Sequence, residues 1–193
     1  MDHVKEGAVL LVNSIALGGA GRLLGARRAE IDAAFPAFFV SEAETTVENA
    51  LQQSEKIRGL VEMKEIRAHS LYLAELGEGG LYNALWNMGE ALETGMIIDS
   101  GRIRVLQEVI EILDLFDVNP YYTDGKGAWL FVSTNAARDA WTFHEAGIFC
   151  DVIGILTPPP ARKIISGTKK EHMRSLDRPQ PDALAGILPR QPL

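Results

Sequence analysis

Apolar and polar positions alternate in blocks along the chain, and each block carries its own period. Residues 8–16, "AVLLVNSIA", are a continuous apolar run that suits a buried strand. "LGGAG" (17–21) punctuates it as a strand-to-helix turn, and "RLLGARRAEIDAAF" (22–35) has apolar residues at helical spacing, ended by Pro36. Residues 41–60 are polar with a sparse apolar stripe, which predicts a surface helix. Residues 66–76, "IRAHSLYLAEL", read as a strand leading into a glycine pair.

Residues 79–94 give the clearest helix, with Leu81, Leu85, Met88 and Leu92 on one stripe and Gly95 as its left-handed stop. A short strand and turn follow at 96–103 and a second amphipathic helix at 105–116. A loop at 117–127 is marked by its Asn-Pro and Asp-Gly pairs, and a strand is expected at 128–134. Asn135 and Gly147 bracket a helix, and 148–157 is an apolar strand. Three prolines break it, and 161–167 is expected to return as its hairpin-like partner, with a short helix at 181–187. Strands alternating with helices predict a sheet covered by helices, partly parallel and partly antiparallel.

Composition adds bounds. The 193 residues fit one domain, with no long linker or repeat, and 47% hydrophobic content with 23% charged is ordinary for a globular chain. A net charge of -7 argues against general affinity for nucleic acid or an anionic membrane, and leaves a local nucleotide site open. The N-terminal apolar run is too short for a signal peptide or a spanning helix, so a cytoplasmic protein is expected. One cysteine, Cys150, allows no disulfide or cysteine-based zinc site within one chain, and in its apolar strand it reads as an inert thiol. His3, His69, His144 and His172 form no metal motif and no Ser-His-Asp or Cys-His set, so no metal site is expected and no catalytic residue is assigned. The basic stretch "GTKKEHMR" (167–174) reads as solvated surface.

Three loops could carry chemistry. Glu78-Gly79-Gly80 and "LGGAG" stand where a helix N-terminus can hold a phosphate, or where glycine only relieves a sharp turn. Neither carries the G-x-G-x-x-G or P-loop pattern. "NPYYTDGKG" offers Asn119, Asp124 and Lys126 on a loop, while turn chemistry alone accounts for its Asn-Pro and Asp-Gly pairs.

In this order the pieces resemble the C-terminal domain of the AIR synthase-related superfamily. That superfamily includes aminoimidazole ribonucleotide synthetase, selenophosphate synthetase, thiamine-monophosphate kinase and the hydrogenase maturation factor of carbamoyl dehydratase type. The chain is most similar in flavour to the last. "VKEGAVLLVNSIALGGAGRLL" resembles the opening strand and its Gly-rich turn, and "ELGEGGLYNALWNMGEA" the D-x-T-E-G-G segment. "VNPYYTDGKGAWL" resembles the loop ending in S-S-G, "GIFCDVIGILT" a late strand with an I-G pair, and "RPQPDAL" the closing P-x-x-D-E-L.

The resemblance implies an α+β fold, a three-layer α/β/α arrangement with a mixed sheet, over one domain (1–193, core about 4–184, tail 185–193). It implies that the ATP-binding N-terminal domain is absent, so that ATP and magnesium would be bound only with such a domain. It places Glu75, Glu78, Gly79, Gly80 and Asn83 at the nucleotide or substrate cleft, with Asn119, Asp124 and Gly127 on a neighbouring loop. Departures are visible: Glu75 and Gly77 stand for the family's Asp and Thr, Ala74 for its histidine, Asn87 for the later glutamate. Gly125 and Lys126 stand for the two serines, and the chain ends "PRQPL" without the maturation factor's terminal cysteine.

Two readings result. One is the substrate-side domain of an ATP-dependent enzyme that performs phosphoryl transfer or dehydration beside an ATP-binding domain. The other is a non-catalytic binding or oligomerisation module. The expected partners are a second copy or a separate ATP-binding domain, with a small-molecule ligand, and neither nucleic acid nor membrane.

Overall fold

Val9, Leu10, Leu11 and Val12 are all fully buried. Successive strand residues point to opposite faces, so the strand they form, β1 (Ala8–Val12), must be covered on both sides. The computed structural model describes residues 6–166 and 173–188. In it, β1 lies inside a mixed sheet of seven strands. The others are β2 (Ser70–Glu75), β3 (Gly95–Asp99), β4 (Trp129–Ser133), β5 (Cys150–Thr157), β6 (Arg162–Ile165) and β7 (Arg174–Ser175), in the spatial order β2-β4-β1-β5-β3-β6-β7. Every neighbouring pair is antiparallel except β3 with β6.

Helices cover both faces. Val9 and Leu11 join a core with α1 (Leu17–Ala26), α2 (Arg28–Ala34), the first part of α3 (Ala37–Val61), α5 (Gly80–Leu92) and α6 (Gln107–Asp114). Leu10, Val12 and Phe131 face the other way, onto Ile57 and Val61 at the end of α3, Ile66 of α4 (Lys64–Arg67) and Phe143 of α7 (Ala136–Glu145). This is the expected α+β arrangement of helices, sheet and helices. No helix among the described residues is long and apolar enough to cross a membrane.

Several local expectations are corrected. "LGGAG" is not a turn before a helix but the first turn and a half of α1. The reversal lies upstream, where β1 ends and Asn13 (φ 69°) and Ala16 (φ 62°) take left-handed angles. The helix expected over 22–35 is divided at Arg27, and α3 starts directly after Pro36, whose fixed φ suits a helix entry. The strand before the glycine pair begins only at Ser70, residues 64–67 being helical. Glu93 (φ 56°), not Gly95, is the left-handed stop of α5.

The hairpin between β5 and β6 does not form. β3 lies between them, antiparallel to β5 and parallel to β6. Two glycines make room for it. A Cβ on Gly95 would come within 2.3 Å of the Ala161 carbonyl oxygen, and one on Gly154 within 2.3 Å of the Ile97 carbonyl oxygen. Residues 181–187 form irregular turns rather than a helix, after Pro179 and Pro181. His3, His172, Gly167, most of the basic stretch 167–174 and the tail beyond Leu188 lie outside the described residues.

Candidate functional site

Two glycine junctions and the 119–127 loop meet at one place. Gly79 and Gly80 enter α5 with φ of 77° and 65°, angles that favour glycine. A Cβ on Gly80 would stand 2.6 Å from the carbonyl oxygen of Thr123 and 2.7 Å from that of Tyr121. At the start of α1, a Cβ on Gly19 would stand 2.0 Å from Thr123 Cγ2, and one on Gly18 2.9 Å from the Asp124 carboxylate. The Gly19 amide donates to the Asp124 carbonyl (2.9 Å), and the amides of Gly80 and Gly125 both donate to the Gly77 carbonyl (3.1 Å each). The glycines therefore let three segments of the chain touch.

The helix ends are occupied as well. Asp182, from the C-terminal segment, accepts the Gly79 amide through Oδ2 (2.9 Å) and the Leu184 amide through Oδ1 (2.9 Å). A carboxylate thus meets the positive end of the α5 dipole. One turn on, Asn83 makes a two-way pair with the backbone of Gln180, donating to its carbonyl (2.7 Å) and accepting its amide (3.0 Å). The Gly19 amide at one glycine junction and the Gly79 and Gly80 amides at the other are thus bonded within the chain.

The open space lies beside them. A groove of about 1220 Å³ runs between α1 and α3, lined by Leu24, Val47 and Leu51, by Ser41, Thr45 and Gln52, and at one end by Arg22, Asp124 and Lys126. A second cavity of about 290 Å³ is lined by Glu78, Gly79, Asn83, Pro181 and Asp182. Arg22 and Leu188 line both. Arg22 Nη1 lies 4.0 Å from Asp124 Oδ2, and each side chain is 14% exposed. Burial pushes the Asp124 carboxyl above the usual carboxylate range. The Lys126 amide opposes this, Asp182 adds to it, Arg22 opposes it and Glu78 adds to it.

The residues singled out from the sequence divide accordingly. Glu78, Gly79 and Asn83 line the small cavity, and Asp124 and Gly127 the large groove. Gly80 is spent on packing. Glu75 sits behind the groove wall, accepting from Ser54 Oγ (3.0 Å), the Gly127 amide (3.1 Å) and Arg58 (3.1 Å). Asn119 lines neither cavity. Its side chain accepts the Tyr121 amide (3.0 Å) and its carbonyl accepts from Thr123 Oγ1 (2.6 Å), which shapes the loop. Arg22 and Asp182 had not been singled out. Arg22 is the first cation after the first glycine junction, and Asp182 is the acid of the closing "PDAL".

Away from this region the fold gathers Ser133, Asp139 and His69. Ser133 Oγ donates to Asp139 Oδ2, while His69 Nδ1 lies 3.6 Å from Asp139 Oδ1. The serine bonds the acid rather than the imidazole, so this is not a nucleophile–base arrangement. Burial pushes the Cys150 thiol up to about 12, with Asp151 and Asp139 adding to it, so it stays a neutral thiol. Among the described residues no group of three or more His, Cys, Asp or Glu is placed to hold a metal ion.

No family model matches the sequence, and no curated protein matches it. Solved structures do match. The fold of this chain is the one that these structures have. It is shared with the hydrogenase maturation protein HypE of E. coli at 17% identity and a TM-score of 0.65, over 97% of this chain. It is shared with a HypE–HypF complex (16%, TM-score 0.61, 90% of this chain and 53% of that one) and with T. maritima PurL complexed with ATP (13%, TM-score 0.55, 100% of this chain and 28% of that one). The chain spans about half the length of HypE, 53% of the E. coli protein. At these identities the likeness is one of fold.

Proposed function

We propose that this chain is the substrate-side domain of an ATP-dependent protein of AIR synthase-related, hydrogenase maturation factor-like type, inactive without an ATP-binding partner domain. One observation carries the reading. Nearly the whole chain has the fold of about half of HypE, and two of its cavities share one cation, Arg22, in their lining. A site divided between two domains needs an exposed half-site of this kind. In this reading the chain does not hold ATP and magnesium by itself. Asp182 takes the Gly79 amide at the start of α5, the Asp124 carbonyl takes the Gly19 amide of α1, and among the described residues no group of three or more His, Cys, Asp or Glu is placed to hold a metal. In this reading nucleotide and metal are held by the partner, and Arg22, Lys126 and the hydroxyls of α3 receive the reacting small molecule.

Calorimetry with Mg-ATP tests it. The expected result is no heat with the chain alone, and binding when the part of HypE that this chain does not span is supplied in trans. Arg22→Gln should then lower turnover without removing nucleotide binding. Absence of nucleotide binding in the mixture would leave the other reading, a non-catalytic binding module that keeps the fold.

A further inference from the structure

The two edges of the sheet are built differently. At one edge β7 is two residues long, exposed, and basic at Arg174, beside Lys163 of β6. Short, charged edges resist pairing with another strand. At the other edge β2 is six residues long and borders only β4. Its first five residues, Ser70, Leu71, Tyr72, Leu73 and Ala74, include no charge and no proline. A register shift lies between Ser70 and Tyr72, and from Tyr72 to Glu75 the strand runs regularly. The Leu76 amide donates to the Ala128 carbonyl on the β4 side (2.8 Å). Alternation along a strand then turns the amides of Leu73 and Glu75 outward. None of the described strands pairs with them.

We propose that this edge pairs antiparallel with β2 of a second copy of the chain, joining two sheets across a two-fold axis. Identical strands can pair this way with each residue meeting its symmetry mate's partner, the isologous contact of most homodimers. Charge favours the same occupant. Exposed Arg67 precedes the strand and exposed Glu78 follows it, while the Glu75 carboxylate is held within its own copy by Arg58, Ser54 and the Gly127 amide. Antiparallel pairing lays the basic end of each copy beside the acidic end of the other. The regular part of the edge is short, so the area covered falls below that of a standard interface and the dimer is weak, with a dissociation constant in the micromolar range or above.

The inference is independent of the proposed activity and is tested on the full chain alone. Sedimentation equilibrium up to about 1 mM protein should show a monomer–dimer equilibrium. Hydrogen exchange at the Leu73 and Glu75 amides should slow roughly tenfold across the same range, while other edge and loop amides stay unchanged. Leu73→Pro, which removes an outward amide, should abolish the association, and Arg67→Glu should weaken it several-fold. If Leu73→Pro fails to fold by circular dichroism, exchange in the unaltered chain still decides. A monomer at every concentration overturns the proposal. So does association without protection of these two amides, or protection that appears only when an ATP-binding partner is added.

Discussion

The side chain of Asp182 accepts the backbone amide of Gly79, across 103 residues of sequence, at 2.9 Å. It caps α5 from outside the helix, because Gly79 itself has no side chain to do so. An aspartate at a helix start satisfies a free amide and opposes the dipole. Asp182→Ala should lower stability by about 1 kcal/mol, and Asp182→Asn, which keeps one of the two accepting oxygens, by less. Chemical denaturation midpoints check both. Equal losses would mean that a single neutral oxygen does not replace the carboxylate at this helix end.

Gly80 and Gly25 make opposite predictions. An alanine at Gly80 would need a left-handed φ of 65° and a Cβ 2.6 Å from the Thr123 carbonyl oxygen. The chain must shift there, so Gly80→Ala should cost more than about 2 kcal/mol. Gly25 lies in α1, and a Cβ there meets nothing within 4 Å. Gly25→Ala should stabilise by up to about 1 kcal/mol, the helix-propensity difference. Thermal unfolding of the two variants separates the glycine that packing demands from the one it does not.

The contrast also explains what was legible in the sequence. The apolar run of β1 and the stripe of α5 are local signals, and both elements form there, although the strand expected over 8–16 ends at Val12. "LGGAG" misleads because glycine disfavours helices in isolation, whereas here Gly18 and Gly19 are helical so that Asp124 and Thr123 can approach. The pairing of β6 with β3 is set by which strand occupies the neighbouring place in the sheet, and no local pattern carries that information. The site divides in the same way. Glu78, Gly79 and Asn83 are adjacent in sequence and share a cavity, whereas Asp182 reaches it from the other end of the chain. Arg22 reads as one more surface cation until the fold places it in the lining of two cavities.

Ser133 supports a second long-range arrangement. Asp139 is 1% exposed, and the Ser133 hydroxyl is its hydrogen-bond donor. The same oxygen accepts the Asn135 amide at the start of α7 (2.8 Å). Ser133→Ala removes both bonds and leaves a buried carboxylate with His69 Nδ1 3.6 Å away. The expected loss is about 2 kcal/mol, measured by urea unfolding near neutral pH. A neutral outcome would mean that His69 or water takes over the carboxylate.

Asp124 gives the chain a pH dependence of definite sign. Burial raises its folded pKa above the ordinary 3.8, and the Asp182 and Glu78 carboxylates add to the effect. A group whose folded pKa is raised favours the fold while it is protonated in both states. That contribution is full below pH 3.8 and is lost as pH rises through the folded value. Asp124→Asn keeps an acceptor for the Lys126 amide (3.0 Å in the unaltered chain) and never ionises. Its stability relative to the unaltered protein should therefore increase as pH rises from 3.8, then level off once Asp124 is fully ionised in the folded state. Denaturation midpoints of both proteins over a pH series give this difference curve directly. A curve falling with pH would mean that attraction to Arg22, 4.0 Å away, outweighs the cost of burying the charge.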